Sequence, residues 1–223
     1  MKTVAFVPIK LNSERTPGKN IKPFFDGNTL VQMIERTLTQ VPELDERYVF
    51  CSDDRITDYL VPGFRFLRRP AFLDTAQATP QDIIREFSKL VPAEIYMVSH
   101  ATSPFVKPQR FSECLRAVQS GEHDSAFTCE KIQRLLWQNG RPMNFQAESV
   151  PRTQDLIPMY AEVSAAYVFR RDMFERLNRR IGDNPFLCEV SGSECVDIDY
   201  PEDFAIADAL YRELIAHGGK THE

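Results

Sequence analysis

The sequence predicts an α/β fold, a mostly parallel, Rossmann-like sheet with helices on both faces. Two observations carry this. Short β-rich apolar runs alternate with stretches of helical period, the pattern of strand–helix–strand crossovers. A turn-rich loop with three cations, Lys10 to Asn20, directly follows the first run. Parallel sheets collect their ligands there, beyond the carboxyl ends of the strands. In order, the expected strands are Thr3–Val7, Arg47–Ser52, Phe64–Leu67, Ile95–Ser99 and Ser125–Cys129. Helical patterns fill the gaps near Thr29–Gln40, Gln81–Leu90 and Gln109–Ser120. In the last of these, Phe111, Leu115 and Val118 share one face at i, i+4, i+7.

From about residue 131 to 160 the alternation fails. A lone Trp137, the turn Asn139-Gly140-Arg141-Pro142 and a polar run to Pro151-Arg152 read as hairpins or an excursion from the sheet. Alternation resumes with a strand at Ala165–Phe169, a helix near Asp172–Arg179 and a final strand ending in Val196-Asp197-Ile198-Asp199. A closing helix from Glu202 to about His217 carries Phe204, Ala207, Leu210, Tyr211 and Leu214 at helical spacing. No internal repeat and no low-complexity linker divides the chain.

At 223 residues the chain is long enough to bury a sizeable core in one domain. Its 43% hydrophobic and 26% charged content is that of an ordinary soluble globular protein. A net charge of −5 argues against general binding of nucleic acid or anionic membranes, while leaving room for a local basic pocket. Five scattered cysteines without a Cys-x-x-Cys pair suit reduced thiols. There is no apolar stretch of membrane-spanning length, and Met1-Lys2 leads straight into a strand, so a soluble cytoplasmic protein is expected.

The Lys10–Asn20 loop suits a polyphosphate, because backbone N–H groups can face the anion while Lys and Arg neutralise it. It is not a Walker A loop: Asn20 follows Gly18-Lys19, and no glycine stands five residues before Gly18. In a strand, Asp197 and Asp199 would present two carboxylates on one face. Such a pair suits Mg²⁺, which takes a few carboxylates together with phosphate oxygens and water. Asp199 equally fits a helix N-cap, with Glu202 three residues on. Of the other polar groups after strands, Ser52 and Asp53 read as helix caps, and Arg68-Arg69 as a base or phosphate contact or a solvated pair. His100 reads as a loop hydrogen-bonding residue at the switch-point crevice. No Ser-His-Asp set, histidine cluster or Gly-x-Gly fingerprint supports a hydrolase or dehydrogenase.

Pro8-Ile9-Lys10, Ser13-Glu14-Arg15-Thr16-Pro17-Gly18-Lys19-Asn20, Ser52-Asp53-Asp54, Arg69-Pro70-Ala71, Thr102-Ser103-Pro104, Pro151-Arg152 and Asp197-Ile198-Asp199 occur in this order over nearly the whole chain. Together they resemble the acylneuraminate cytidylyltransferases (CMP-sialic acid synthetases) and, more distantly, the CMP-Kdo synthetases. That family opens with a strand, then Pro-Ala-Arg and a Ser-Lys-Arg-Leu-Pro-Gly-Lys-Asn loop. The resemblance implies one cytidylyltransferase domain over residues 1–223, of the nucleotide-diphospho-sugar transferase type, with a dimerisation arm at about 131–160 and hence a homodimer. It implies Mg²⁺-dependent transfer of CMP from CTP to an acidic sugar, releasing pyrophosphate.

Carried over by position, Lys19 and Arg15 would hold the triphosphate, and Lys10 would take the place of the family's loop arginine. Pro8, Ser13, Asn20 and Arg69 would lie against the nucleotide, with Thr79 a further base contact. Asp197 and Asp199 would hold Mg²⁺, Asp199 also capping a helix. The acceptor set would be His100, Thr102, Ser103, Arg152 and Gln154, with Arg152 meeting the sugar carboxylate in a bidentate pair.

The departures cluster on the acceptor side. His100 stands where the family has a glutamine, Val106 where it has an arginine, and Ser164-Ala165-Ala166 where it has Asn-Gly-Ala. Glu14 replaces a lysine in the triphosphate loop. These changes imply an acceptor other than N-acetylneuraminate, such as another ulosonic or nonulosonic acid. A nucleotidylyltransferase acting on a sugar 1-phosphate and a non-catalytic nucleotide-binding protein of the same fold are the alternatives.

Overall fold

The computed structural model describes residues 1–13 and 15–217. In chain order it contains β1 (Thr3–Ile9), α1 (Leu30–Thr39), β2 (Glu46–Cys51), β3 (Arg65–Arg68), α2 (Pro80–Leu90), β4 (Ile95–Val98), α3 (Pro108–Gln119) and β5 (Ser125–Ile132). A small hairpin, β6 (Trp137–Gln138) and β7 (Arg141–Pro142), precedes β8 (Met159–Arg170), α4 (Arg171–Leu177), β9 (Pro185–Val190) and α5 (Pro201–His217). The main sheet has seven strands in the order β3-β2-β1-β4-β8-β5-β9. Every pairing is parallel except those of β8, which runs antiparallel to β4 and β5. This is the mostly parallel α/β sheet that the sequence predicts.

β1 is apolar on both faces because both are covered. Ala5, Val7 and Ile9 pack with Leu30, Ile34 and Leu38 of α1, Phe111 and Leu115 of α3, and Phe204 of α5. Their neighbours Val4 and Phe6 point the other way, into a second core with Phe87 of α2 and Phe174 of α4. There the rings of Phe6 and Phe87 stack with centroids 3.9 Å apart. The helices begin where local chemistry satisfies their first N–H groups. Thr29 and Gln32 form a capping box on α1, Thr79 and Asp82 another on α2, and Pro80 and Pro108 stand in the first turns of α2 and α3. α4 ends at Asn178, which adopts the left-handed conformation at φ 51°.

Three local expectations need correction. Val196–Asp199 is an extended crossing segment rather than a strand, and the last strand of the sheet is β9, on the edge beside β5. The segment bonds to a loop instead: the Ile198 N–H donates to the Thr102 carbonyl at 2.9 Å. Asp199 does not cap α5, because the carboxylate of Asp203 accepts the N–H groups of Tyr200 (2.7 Å) and Asp199 (3.0 Å). Asp53 caps the short 3-10 turn at Asp54–Tyr59, whereas the Ser52 hydroxyl bonds to Asp74.

β8 is much longer than its partner β4, which pairs only with Tyr167–Arg170. Because β8 runs backwards, its first half projects past the carboxyl end of β4, paired with the end of β5. The irregular 131–160 segment therefore rises from that end of the sheet. It holds the β6–β7 hairpin and a 3-10 turn at Thr153–Asp155. Among the described residues no helix is long and apolar enough to cross a membrane.

One buried carboxyl stands out in α1. Glu35 is fully buried; its Oε2 accepts the Val61 N–H at 2.8 Å, while Oε1 has no partner. Burial pushes it up to about 8 from an ordinary 4.5, outweighing the Val61 hydrogen bond and the charge of Arg36. The native state thus keeps a proton that the unfolded chain releases above about pH 4.5. Stability should therefore fall as pH rises from there through about 8. Glu35→Gln should flatten this slope and stabilise the protein at pH 8 by on the order of a few kcal/mol. Denaturant melts of both proteins across that range check it, and parallel profiles would refute the assignment.

Candidate active site

The sheet order places β1 between β2 and β4, with the chain leaving β1 toward one edge and returning at β4 on the other side. The loops after β1 and β4 diverge at this switch point and leave a crevice between them. A cleft of about 430 Å³ occupies it, lined by Pro8, Ile9, Lys10, Ser13, Arg15, Lys19, Asn20, Ala76, His100, Ala101 and Thr102. A cleft of similar volume, about 410 Å³, opens at the amino ends of β1 and β4. Its cations are already matched, Lys2 by Glu46, Arg170 by Asp172 and Arg171 by Glu175, so it offers no uncompensated charge to a ligand.

The loop after β1 is folded by its own backbone. Gly18 sits in the left-handed region at φ 72°, where a side chain would be strained, and its N–H closes onto the Leu11 carbonyl at 3.2 Å. This turn drives Lys19 and Asn20 inward, and both are buried. The Asn20 amide donates to the Lys10 carbonyl at 3.1 Å and joins the two ends of the loop. Lys19 donates through Nζ to the Ile198 carbonyl at 2.6 Å and reaches the Asp199 carboxylate at 3.3 Å. Arg15 pairs with the other oxygen of Asp199 at 2.6 Å, and the Thr16 hydroxyl donates to the Asp199 carbonyl at 2.8 Å. The segment before α5 is thus stitched to the loop, and one carboxylate bridges two cations.

The two cations differ in freedom. The Lys19 side chain is 7% exposed and fixed, whereas that of Arg15 is 54% exposed and rests near the Tyr200 ring, 5.6 Å from its centroid. Asp197 is exposed and makes no hydrogen bond or ion pair among the described residues. At the other end of the cleft, burial first, and then the charges of Arg180 and Lys19, push His100 down to about 4. The ring edge meets the face of Tyr167, with centroids 6.2 Å apart. His100 is therefore a neutral group flanked by two cations.

A sequence model of the cytidylyltransferase family matches residues 4–197. The chain belongs to the cytidylyltransferase family. Among curated relatives, it is 26% identical over 221 residues to a Helicobacter pylori protein named pseudaminic acid cytidylyltransferase and UDP-2,4-diacetamido-2,4,6-trideoxy-beta-L-altropyranose hydrolase. That match covers 94% of the chain but only 42% of the relative, so the chain spans less than half of that protein's length. It is 25% identical to the 3-deoxy-manno-octulosonate cytidylyltransferase of Myxococcus xanthus, with 98% of each covered. Among solved structures it superposes on a CMP:2-keto-3-deoxy-manno-octonic acid synthetase complexed with CTP at a TM-score of 0.71, 18% identity, and 96% and 99% coverage of the two chains. The 4-diphosphocytidyl-2C-methyl-D-erythritol synthase of Anaerococcus prevotii gives a TM-score of 0.67 at 14% identity, covering 95% and 96%. At these identities the superpositions show a shared fold.

Of the residues singled out in the cytidylyltransferase sequence, the structure brings Pro8, Lys10, Ser13, Arg15, Lys19, Asn20, His100 and Thr102 into one cleft, with Asp199 bonded to its cations. Five others lie elsewhere. Thr79 is occupied in its capping box at the start of α2 and does not line the cleft. Ser103 is fully buried beneath the loop. Arg69 is buried and bonded to Asp74, and it does not line the cleft. Arg152 grips Asp155 with two hydrogen bonds, at 2.7 and 3.1 Å, on the arm, and Gln154 is exposed beside it. Neither lines the cleft of this chain. Glu14 lies outside the described residues. Sequence reasoning quoted Thr16 only as part of the loop motif and gave it no role, and it passed over Tyr200, Tyr167 and Arg180, which stand in none of the quoted motifs.

The environment of His100 has a direct spectroscopic consequence. Its ring should stay neutral from alkaline pH down to about 5 and titrate near 4. Long-range ¹H–¹⁵N spectra of the ring nitrogens would show this, and a midpoint at the ordinary 6.5 would mean that the ring is solvated rather than enclosed.

Proposed function

We propose that the protein is a Mg²⁺-dependent cytidylyltransferase that joins CMP from CTP to a hydroxyl of an acidic, ulosonic-type sugar and releases pyrophosphate. The observation that carries this is the buried Lys19 and exposed Arg15, held by one carboxylate at the switch point of a cytidylyltransferase fold. The acceptor class is supported by the curated relatives, which are named for pseudaminic acid and 3-deoxy-manno-octulosonate. In the reaction the acceptor oxygen attacks the α-phosphorus, the bond to the bridging oxygen of the β-phosphate breaks, and the hydroxyl proton is released. The pyrophosphate leaves with the electron pair, and its charge meets Lys19 and Arg15. Lys19 is already oriented by the Ile198 carbonyl. Arg15 is exposed enough to turn from Asp199 to a phosphate.

For Mg²⁺ the chain offers hard oxygen donors: Asp197 is an exposed carboxylate without a partner among the described residues, and Asp199, two residues on, would have to exchange its pairing with Arg15 or Lys19 for the ion. Asp197 and Asp199 would hold the ion, which when bound would neutralise phosphate charge. We place the enzyme in the cytoplasm, where the free thiols of Cys51, Cys114, Cys129, Cys188 and Cys195 suit a reducing medium. We further propose a homodimer joined through the arm, whose Trp137, Met143, Val150 and Ile157 are exposed. Light scattering should give twice the mass of the chain; the mass of a single chain would remove the dimer.

Pyrophosphate release should require CTP among the four nucleoside triphosphates, an acidic sugar and Mg²⁺, and should stop on chelation. Release only with a phosphorylated acceptor, giving a diphosphate-linked product, would move the enzyme to the sugar 1-phosphate class. Lys19→Ala and Asp197→Ala should each lower turnover by at least about 100-fold with the fold retained. A near-normal rate in either variant would take that residue out of the mechanism.

A further inference from the structure

Ile198 and Asp199 belong to no helix or strand, yet every backbone polar group of the two is bonded. The Ile198 N–H donates to the Thr102 carbonyl at 2.9 Å, and the Ile198 carbonyl accepts Lys19 Nζ at 2.6 Å. The Asp199 carbonyl accepts the Thr16 hydroxyl at 2.8 Å, and the Asp199 N–H donates to Asp203 Oδ2 at 3.0 Å. Thr16, Lys19 and Thr102 stand on the two loops that border the cleft. Asp203 does not. It sits in the first turn of α5, away from the cleft lining, and its hydrogen bonds among the described residues go to main-chain N–H groups.

Helix capping explains half of what this carboxylate does. Pro201 opens α5 and the Tyr200 carbonyl accepts the Phe204 N–H at 3.3 Å, so Tyr200 holds the capping position. A carboxylate three residues on can return to the N–H of that position, and the 2.7 Å bond to Tyr200 is this contact. A cap needs nothing more. The second bond, to the same oxygen, comes from Asp199, one residue outside the helix. It fixes the peptide that carries the Asp199 carboxylate, whose two oxygens meet Arg15 at 2.6 Å and Lys19 at 3.3 Å. Thr16 restrains Asp199 on its carbonyl side and Asp203 restrains it on its N–H side. The direction of the carboxylate is set by both restraints together.

We propose that Asp203 is a positioning residue of the site: acting through the Asp199 main chain, it sets the carboxylate that aims Lys19 and Arg15 at the triphosphate. This rests on the role of the two cations in the proposed function and needs nothing from the acceptor. A group held by preorganised bonds meets its ligand without first losing conformational freedom. The nucleotide therefore gains from a residue that it never touches.

The test measures CTP affinity by calorimetry without added metal, so that the cations alone are read. It compares wild type, Asp203→Asn, Asp203→Ala, Asp199→Ala, Lys19→Ala and the combined Asp199→Ala/Asp203→Ala variant, with thermal unfolding measured on each. Asn and Ala both remove the charge, but the amide oxygen of Asn still accepts the two N–H groups. Asp203→Ala should therefore bind CTP at least about fivefold more weakly than Asp203→Asn, the order of one hydrogen bond. In the Asp199→Ala background, adding Asp203→Ala should cost less than about twofold, because the carboxylate through which Asp203 acts is gone. Equal CTP affinity in Asp203→Ala and Asp203→Asn would overturn the role. A full loss persisting in the Asp199→Ala background would make Asp203 a helix cap alone, and would overturn it too. Wild-type affinity in Lys19→Ala, or no CTP binding by wild type, would overturn the reading of the cations and the proposal with it.

Discussion

Asp199 is the joint on which the site depends. It accepts from Arg15 and Lys19, while its own carbonyl accepts the Thr16 hydroxyl. Loop and crossing segment come from opposite ends of the chain, so neither can set its conformation by local propensity. A buried ammonium without a partner would be costly, and Lys19 meets this constraint with a backbone carbonyl and a carboxylate together. The same contacts that stabilise the loop therefore hold a cation in the switch-point cleft. Asp203 frees Asp199 for this task by taking over the capping of α5.

Much of the architecture was legible in the sequence because two periodicities alternate cleanly through the first half of the chain. The turn in the loop after β1 was legible too, since Gly18 adopts a left-handed conformation that delivers Lys19 inward. The Val-Asp-Ile-Asp run was misread as a strand. Alternating burial requires only an extended backbone with one side covered, and Ile198 obtains that by bonding to the Thr102 carbonyl without joining the sheet. β9 escaped notice because Phe186–Val190 has one polar residue and follows a turn-rich stretch, with nothing local to say that it would pair beside β5.

The site residues divide in the same way. Those set by local structure could be read, whereas those set by long-range packing could not. Thr79 opens Thr-Pro-Gln-Asp, a capping sequence whose cap the structure forms. Arg152 has Asp155 one helical turn away, and that neighbour claims it. Arg180 was not singled out from the sequence. Only the tertiary fold brings it over the ring of Tyr167.

The reversed direction of β8 has a broader consequence. In an all-parallel sheet, an excursion between β5 and the next strand would tend to return across the opposite rim. Here β5 ends and β8 begins on the rim that carries the cleft, so the arm and the ligand loops share one edge of the molecule. Insertions or replacements in the arm leave the cleft-lining strands untouched and still alter what surrounds the entrance. The fold thus sets the strands that build the cleft apart from an arm that can change without disturbing them, and one backward strand provides the seam.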